Sequence, residues 1–161
     1  MLFNSYVFVL AFLPLTIAAY YWMARHRNAR AAISLLVLAS LFFYGWRRPE
    51  YLFLICGSII FNFWIGRLLC SESFQSSRGG AWLLGTGVAC NLGALAFFKY
   101  ANFLALSAGG LVGQLWTVEG IALPLAISFF TFQQIAYLVD VRKSGETDYD
   151  LLTYFLFVSF F

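Results

Sequence analysis

Charge is scarce in this chain: Asp, Glu, Lys and Arg make up 11% of its residues, against roughly one quarter in soluble domains. That shortage excludes an ordinary water-facing fold, and a mean hydropathy of +0.81 with 62% hydrophobic residues shows what takes its place. Cysteine is limited to the widely spaced Cys56, Cys70 and Cys90, two of them inside apolar stretches where a thiol acts as a small hydrophobe, so no disulfide framework is implied. The single histidine, His26, is wedged between Arg25 and Arg27, and no CxxC or HxxxH spacing could assemble a metal site. Neither a metal nor an organic cofactor is expected. A net charge of +3 comes from ten basic against seven acidic residues. The basic residues fall in short clusters between apolar runs, a pattern that sets membrane topology and gives no reason to expect a nucleic-acid partner.

What is present is a series of long apolar runs, which predicts an all-α, polytopic integral membrane helix bundle. A helix rising about 1.5 Å per residue needs around 20 residues to cross a hydrocarbon core of about 30 Å. Spans are expected near 6–24, 31–46, 51–69, 81–98 and 121–139. The run 31–46 is shorter, and snorkelling of Arg30 and Arg47 extends it. The run 103–118 carries "SAGGLVGQ" in its middle and is expected to be interfacial or re-entrant. The last run, 151–161, is too short to span, which points to the N-terminal part of a single transmembrane domain belonging to a longer protein. No basic n-region precedes the first run, so it reads as an uncleaved first helix. Arg25, Arg27 and Arg30 follow it and place the N-terminus outside, with Arg67, Arg78, Arg142 and Lys143 inside. Pro14 removes a donor from the first span and is expected to kink it.

Several polar or small residues inside the runs are candidates for function or packing. Ala81, Gly85, Ala89 and Gly93 recur every four residues and form one stripe on which a neighbouring helix could pack closely. Lys99 in "FFKYANF" suits an interfacial anchor beside Tyr100, with a polar path for an anionic substrate as the functional alternative. In "LPLAISFFTFQQIAYLVD" a helix is expected to start near Pro124 and to close at Asp140, three residues before Lys143. Gln133 and Gln134 stand about 100° apart on it, so they serve either interhelical hydrogen bonding or the wall of a tunnel. His26 has no nucleophile or orienting carboxylate nearby in sequence and reads as an interfacial residue.

The stretches "LFNSYVFVLAFLPL", "FFYGWRRPEYLFL", "FNFWIG", "FFKYANF" and "LPLAISFFTFQQIAYLVDV", in this order, resemble the bacterial alginate O-acetyltransferase branch of the membrane-bound O-acyltransferase superfamily. The resemblance covers nearly the whole chain. It implies a helix bundle in the bacterial inner membrane around a tunnel. An acyl group from a cytoplasmic thioester donor would pass towards an extracytoplasmic polysaccharide such as alginate, with acyl-accepting or polysaccharide-modifying proteins as partners. The same resemblance implies that the catalytic histidine lies beyond Phe161 and that His26 does not inherit its role, so the chain alone is expected to be inactive. A D-alanyl-transferring relative acting on teichoic acid, a small polytopic transporter subunit and an inactive truncated remnant remain as alternatives.

Overall fold

A computed structural model describes residues 6, 8–26, 28–46, 49–75, 77–112, 127–147 and 149–160. Helices α1 (Leu13–His26), α2 (Ala29–Gly45), α3 (Glu50–Leu69), α4 (Glu72–Gln75), α5 (Arg78–Val112), α6 (Ile127–Ser144) and α7 (Leu151–Ser159) account for nearly all of it, and no strand occurs among the described residues. Three stretches are long and apolar enough to cross a membrane: Phe8–His26, Glu50–Leu69 and Arg78–Tyr100. Helix α2 is shorter, at 17 residues.

The chain divides into two compact units, Met1–Trp64 with Thr147–Phe161, and Ile65–Glu146. In the first, α1 and α2 form a hairpin. A single π-helical turn, Phe8–Phe12, precedes α1. It lies immediately before Pro14, where the missing N–H disrupts the regular bonding ladder, so the bend expected there takes the form of a widened turn. Thr16 Oγ1 donates to the Phe12 carbonyl at 2.8 Å. Phe8 packs on Phe43 with ring centroids 5.1 Å apart, and α7 lies against α2. Asp150 caps α7 by accepting from the Leu151 N–H at 2.9 Å, and Tyr154 meets Phe63 at 5.8 Å. The run 151–161, expected to be an incomplete span, thus contains a nine-residue capped helix with Tyr154 and Val158 fully buried.

The second unit departs from expectation in three places. Helix α5 continues without a break from Arg78 to Val112, so the end anticipated at Phe98 is absent and the glycine-rich segment is helical over 103–112. Residues 113–118, like the start expected near Pro124, fall outside the described residues. Helix α6 runs past Asp140 to Ser144. Its stop signal is Gly145, whose φ of 75° favours glycine and whose N–H bonds to the Val141 carbonyl, with Arg142 and Lys143 in the last turn at the negative end of the helix dipole.

The stripe Ala81, Gly85, Ala89, Gly93 is exposed, and a Cβ at Gly85 or Gly93 would meet nothing within 4 Å. Close packing instead uses Gly80 and Gly87, seven residues apart on one face of α5. A Cβ at Gly87 would lie 2.8 Å from Leu138 Cδ1 and 3.3 Å from Ile65 Cδ1. At Gly80 it would strike the Phe74 carbonyl oxygen and approach Arg142 Nη1 to 2.8 Å. The four-residue stripe and the seven-residue one are equally visible in sequence, and the bulk of Leu138 and Ile65 selects the second.

Gly80→Ala forces a backbone carbonyl to move and is expected to destabilise the protein by about 1–3 kcal/mol. Gly85→Ala meets open space and is expected to leave stability unchanged or raise it through helix propensity. Thermal unfolding of the two variants in the same detergent measures the contrast.

Candidate functional site

Helix α6 buries one continuous face: Ile127, Phe130, Thr131, Gln134, Tyr137, Leu138 and Val141, recurring at three and four residues. Three of these carry polar groups, and in a hydrocarbon environment every such group must be met by protein or by water in a cavity. Gln134 is fully enclosed and Thr131 is 2% exposed. Tyr137 lies against Gly66 of α3, where a Cβ would collide with the phenol oxygen, so the glycine is what admits the ring.

The partner face comes from α5. Gly87 meets Leu138 and Gly80 meets Arg142, so the two helices run antiparallel. One turn beyond Gly87 on the same face, Asn91 therefore stands at the level of Thr131 and Gln134. Asn91 is buried, and its Nδ2 donates to the Gly87 carbonyl at 2.8 Å. This register brings Asn91, Thr131 and Gln134 to one level as a polar layer in the second unit, with the Tyr137 hydroxyl turned to Gly66 of α3. These groups can orient a hydroxyl or carbonyl by hydrogen bonding. Amides and alcohols do not act as general bases at neutral pH, so this layer can position a reactant but not take its proton.

One end of this unit is fastened by Arg142. Its guanidinium donates to the carbonyls of Phe74 and Gln75, and to that of Ser77 at 3.1 Å, gathering the connection between α3 and α5 onto the end of α6. Cys70, at the start of that connection, has its thiol pushed above its ordinary range, chiefly by burial, with Arg67 opposing and Glu146 adding to the shift. It is the reverse of an activated thiolate.

Of the residues singled out in the sequence, Gln134 lies in the polar layer and Gln133 is half-buried beside it on α6. Lys99 is exposed on α5, with its ammonium 5.6 Å from the Tyr100 ring centroid. Asp140 is exposed within α6, and its backbone carbonyl accepts from Ser144 Oγ. His26 is exposed at the end of α1, stacked on Trp22 at 5.6 Å. Among the described residues no cluster of His, Cys, Asp and Glu could hold a metal ion. Sequence reasoning missed Asn91 and Thr131, and read Arg142 only as a topology signal. Asn91 stands out only once its neighbours select the Gly80–Gly87 stripe, which it continues.

Arg142→Gln removes the charge and the fork that hold three carbonyls and is expected to cost about 1–3 kcal/mol, each such bond being charge-assisted. Faster proteolysis within residues 70–78 and a lowered thermal midpoint would register it, while Lys143→Gln, on an exposed neighbour, leaves both unchanged.

The chain matches curated proteins along its length. It is 36% identical over 168 residues to a protein of Pseudomonas aeruginosa named "Probable alginate O-acetylase AlgI", covering 100% of this chain and 31% of that protein. A protein of the same name from Azotobacter vinelandii is 38% identical over 152 residues, covering 91% of this chain and 29% of the relative. A "Peptidoglycan O-acetyltransferase" of Helicobacter pylori is 37% identical over 147 residues, 91% of this chain and 28% of that protein. No family model and no solved structure matches. The chain spans about three tenths of the length of these relatives. Along its whole length, then, it is homologous to alginate O-acetylases of the membrane-bound O-acyltransferase family.

Proposed function

We propose that this chain forms part of a bacterial inner-membrane O-acyltransferase that moves acetyl groups from a cytoplasmic thioester donor onto hydroxyls of an exported, alginate-like polysaccharide. The observation that carries the proposal is the match, over the full chain, to several proteins named alginate O-acetylase. The polar layer at Asn91, Thr131 and Gln134 fits such a role, since transfer through a membrane needs hydrogen-bonding groups at depth that hold a reactant without ionising. The orientation follows the basic residues: Arg142 grips the connection that leads into Arg78 at the start of α5, so both lie at one end of the second unit, as cytoplasmic placement of both requires.

Transfer to a hydroxyl needs a general base and stabilisation of the developing oxyanion. His26 is the only histidine in these 161 residues. Its exposed position, stacked on Trp22, suits an interfacial residue, so we place the catalytic base outside this chain and expect residues 1–161 alone to be inactive. The Helicobacter pylori relative favours one second reading, in which the acceptor glycan is peptidoglycan.

The test is expression of the complete gene in a host lacking its own O-acetyltransferase, with ester-linked acetate measured on the exported polysaccharide and on peptidoglycan. Acetate on the polysaccharide supports the main reading, acetate on peptidoglycan the second, and acetate on neither, from a folded protein, contradicts both. Within the active protein, His26→Ala is expected to leave the rate unchanged. Gln133→Leu with Gln134→Leu is expected to lower it about tenfold or more through lost positioning, at unchanged membrane abundance.

A further inference from the structure

The first unit carries an apolar groove of about 720 Å³ between α1 and α2, lined on α1 by residues from Phe12 to Met23 and on α2 by residues from Ala31 to Phe42. Its volume is that of a small-molecule site. The two hydroxyls in its wall are spent on their own helices, Thr16 Oγ1 on the Phe12 carbonyl at 2.8 Å and Ser34 Oγ on the Arg30 carbonyl at 2.9 Å. What remains to contact an occupant is almost entirely apolar.

The two ends of the groove differ. Phe12 and Phe42 stack across one end, with centroids 6.3 Å apart and planes at 17°. At the other end, Met23 and Ala31 flank the turn between the helices, where Arg25 and His26 occupy the last turn of α1 and Arg30 the first turn of α2. Arg30 stands at the positive end of the α2 dipole, where an acidic residue would be favoured and none is present. Asn28, at the N-cap, makes no side-chain capping bond. An anion at this turn would relieve both the clustered positive charge and the helix end. From Phe12 to Met23 the groove is about 16 Å long, close to half of a hydrocarbon core of about 30 Å. A basic mouth, a dry wall and the depth of one leaflet match a single kind of molecule.

We propose that this groove binds one acyl chain of an anionic phospholipid of the cytoplasmic leaflet, with its phosphate at Arg25, His26 and Arg30. The Phe12–Phe42 stack ends the site at the bilayer midplane. The lipid fills the seam between α1 and α2 and fixes the hairpin in the leaflet whose negative surface attracts its basic turn. This rests on the membrane reading above, with the hairpin turn on the cytoplasmic side, and is independent of acetyl transfer.

The experiment uses the complete protein in nanodiscs containing either phosphatidylglycerol or phosphatidylcholine with the same photoreactive acyl chain, followed by mass spectrometry of labelled peptides. Labelling of peptides from 12–23 and 31–42 is expected to favour phosphatidylglycerol, by about fivefold for each arginine that engages the headgroup. Arg25→Gln with Arg30→Gln, both exposed positions, is expected to reduce phosphatidylglycerol labelling to the phosphatidylcholine level with circular dichroism unchanged. Ala39→Trp is expected to remove labelling by both lipids. Equal labelling by the two lipids in the unsubstituted protein, meaning ordinary boundary lipid, overturns the proposal. So does absence of labelling together with cross-links from Leu15 or Leu38 to another segment of the protein or to a second copy. A selectively labelled protein without transferase activity would refute the enzymatic reading alone.

Discussion

Leu138 reaches the backbone of α5 only because residue 87 has no side chain, and the rest of the second unit follows from that approach. Lipid tails are as apolar as leucine, so helices in a membrane gain little from hiding apolar surface and depend on close contact and on bonds between polar groups. Gly80 and Gly87 supply the contact on one side of α6, and Gly66 supplies it on another by admitting Tyr137. With the helices this close, Asn91 comes to the level of Thr131 and Gln134, and the carbonyls of the α3–α5 connection come within reach of Arg142.

The polar layer is therefore a product of packing. Burying amides in hydrocarbon is costly unless they find partners, and the net gain of an interhelical hydrogen bond is modest, about 0.6 kcal/mol. A set of such groups at membrane depth contributes little to stability compared with leucines of the same volume. In the proposed acyl transfer these helices supply a positioning surface. The groove of the first unit has no buried amide in its wall, which is mostly apolar.

The helical membrane class and the family were legible in the sequence because both are written in long, ordered runs. Gln134 was legible too, as an amide in the middle of one. The packing stripe was not, because Ala81, Gly85, Ala89 and Gly93 and the pair Gly80 and Gly87 are both regular series of small residues on one helix. Only the neighbours choose between them: Leu138, Ile65 and Arg142 sit over the second pair. The end of α6 was misplaced for a similar reason. Asp140 looks like a terminus when the end of the apolar run is taken as the end of the helix, whereas the backbone stops at Gly145, where a positive φ is needed. Arg142 read as a topology signal, and its grip on three carbonyls could not be foreseen, since those partners lie 65 to 68 residues away.

The central claim is that Asn91 and the Thr131–Gln134 turn face each other at one level inside the second unit. In a protein whose native cysteines have been replaced, Asn91→Cys combined in turn with Thr131→Cys and with Gln134→Cys places the thiols for oxidative cross-linking, with Gly93→Cys in place of Asn91→Cys as the comparison. The account predicts rapid intramolecular cross-linking for at least one Asn91 pair and none for the Gly93 pairs. Cross-linking from position 93 and none from position 91 would contradict it.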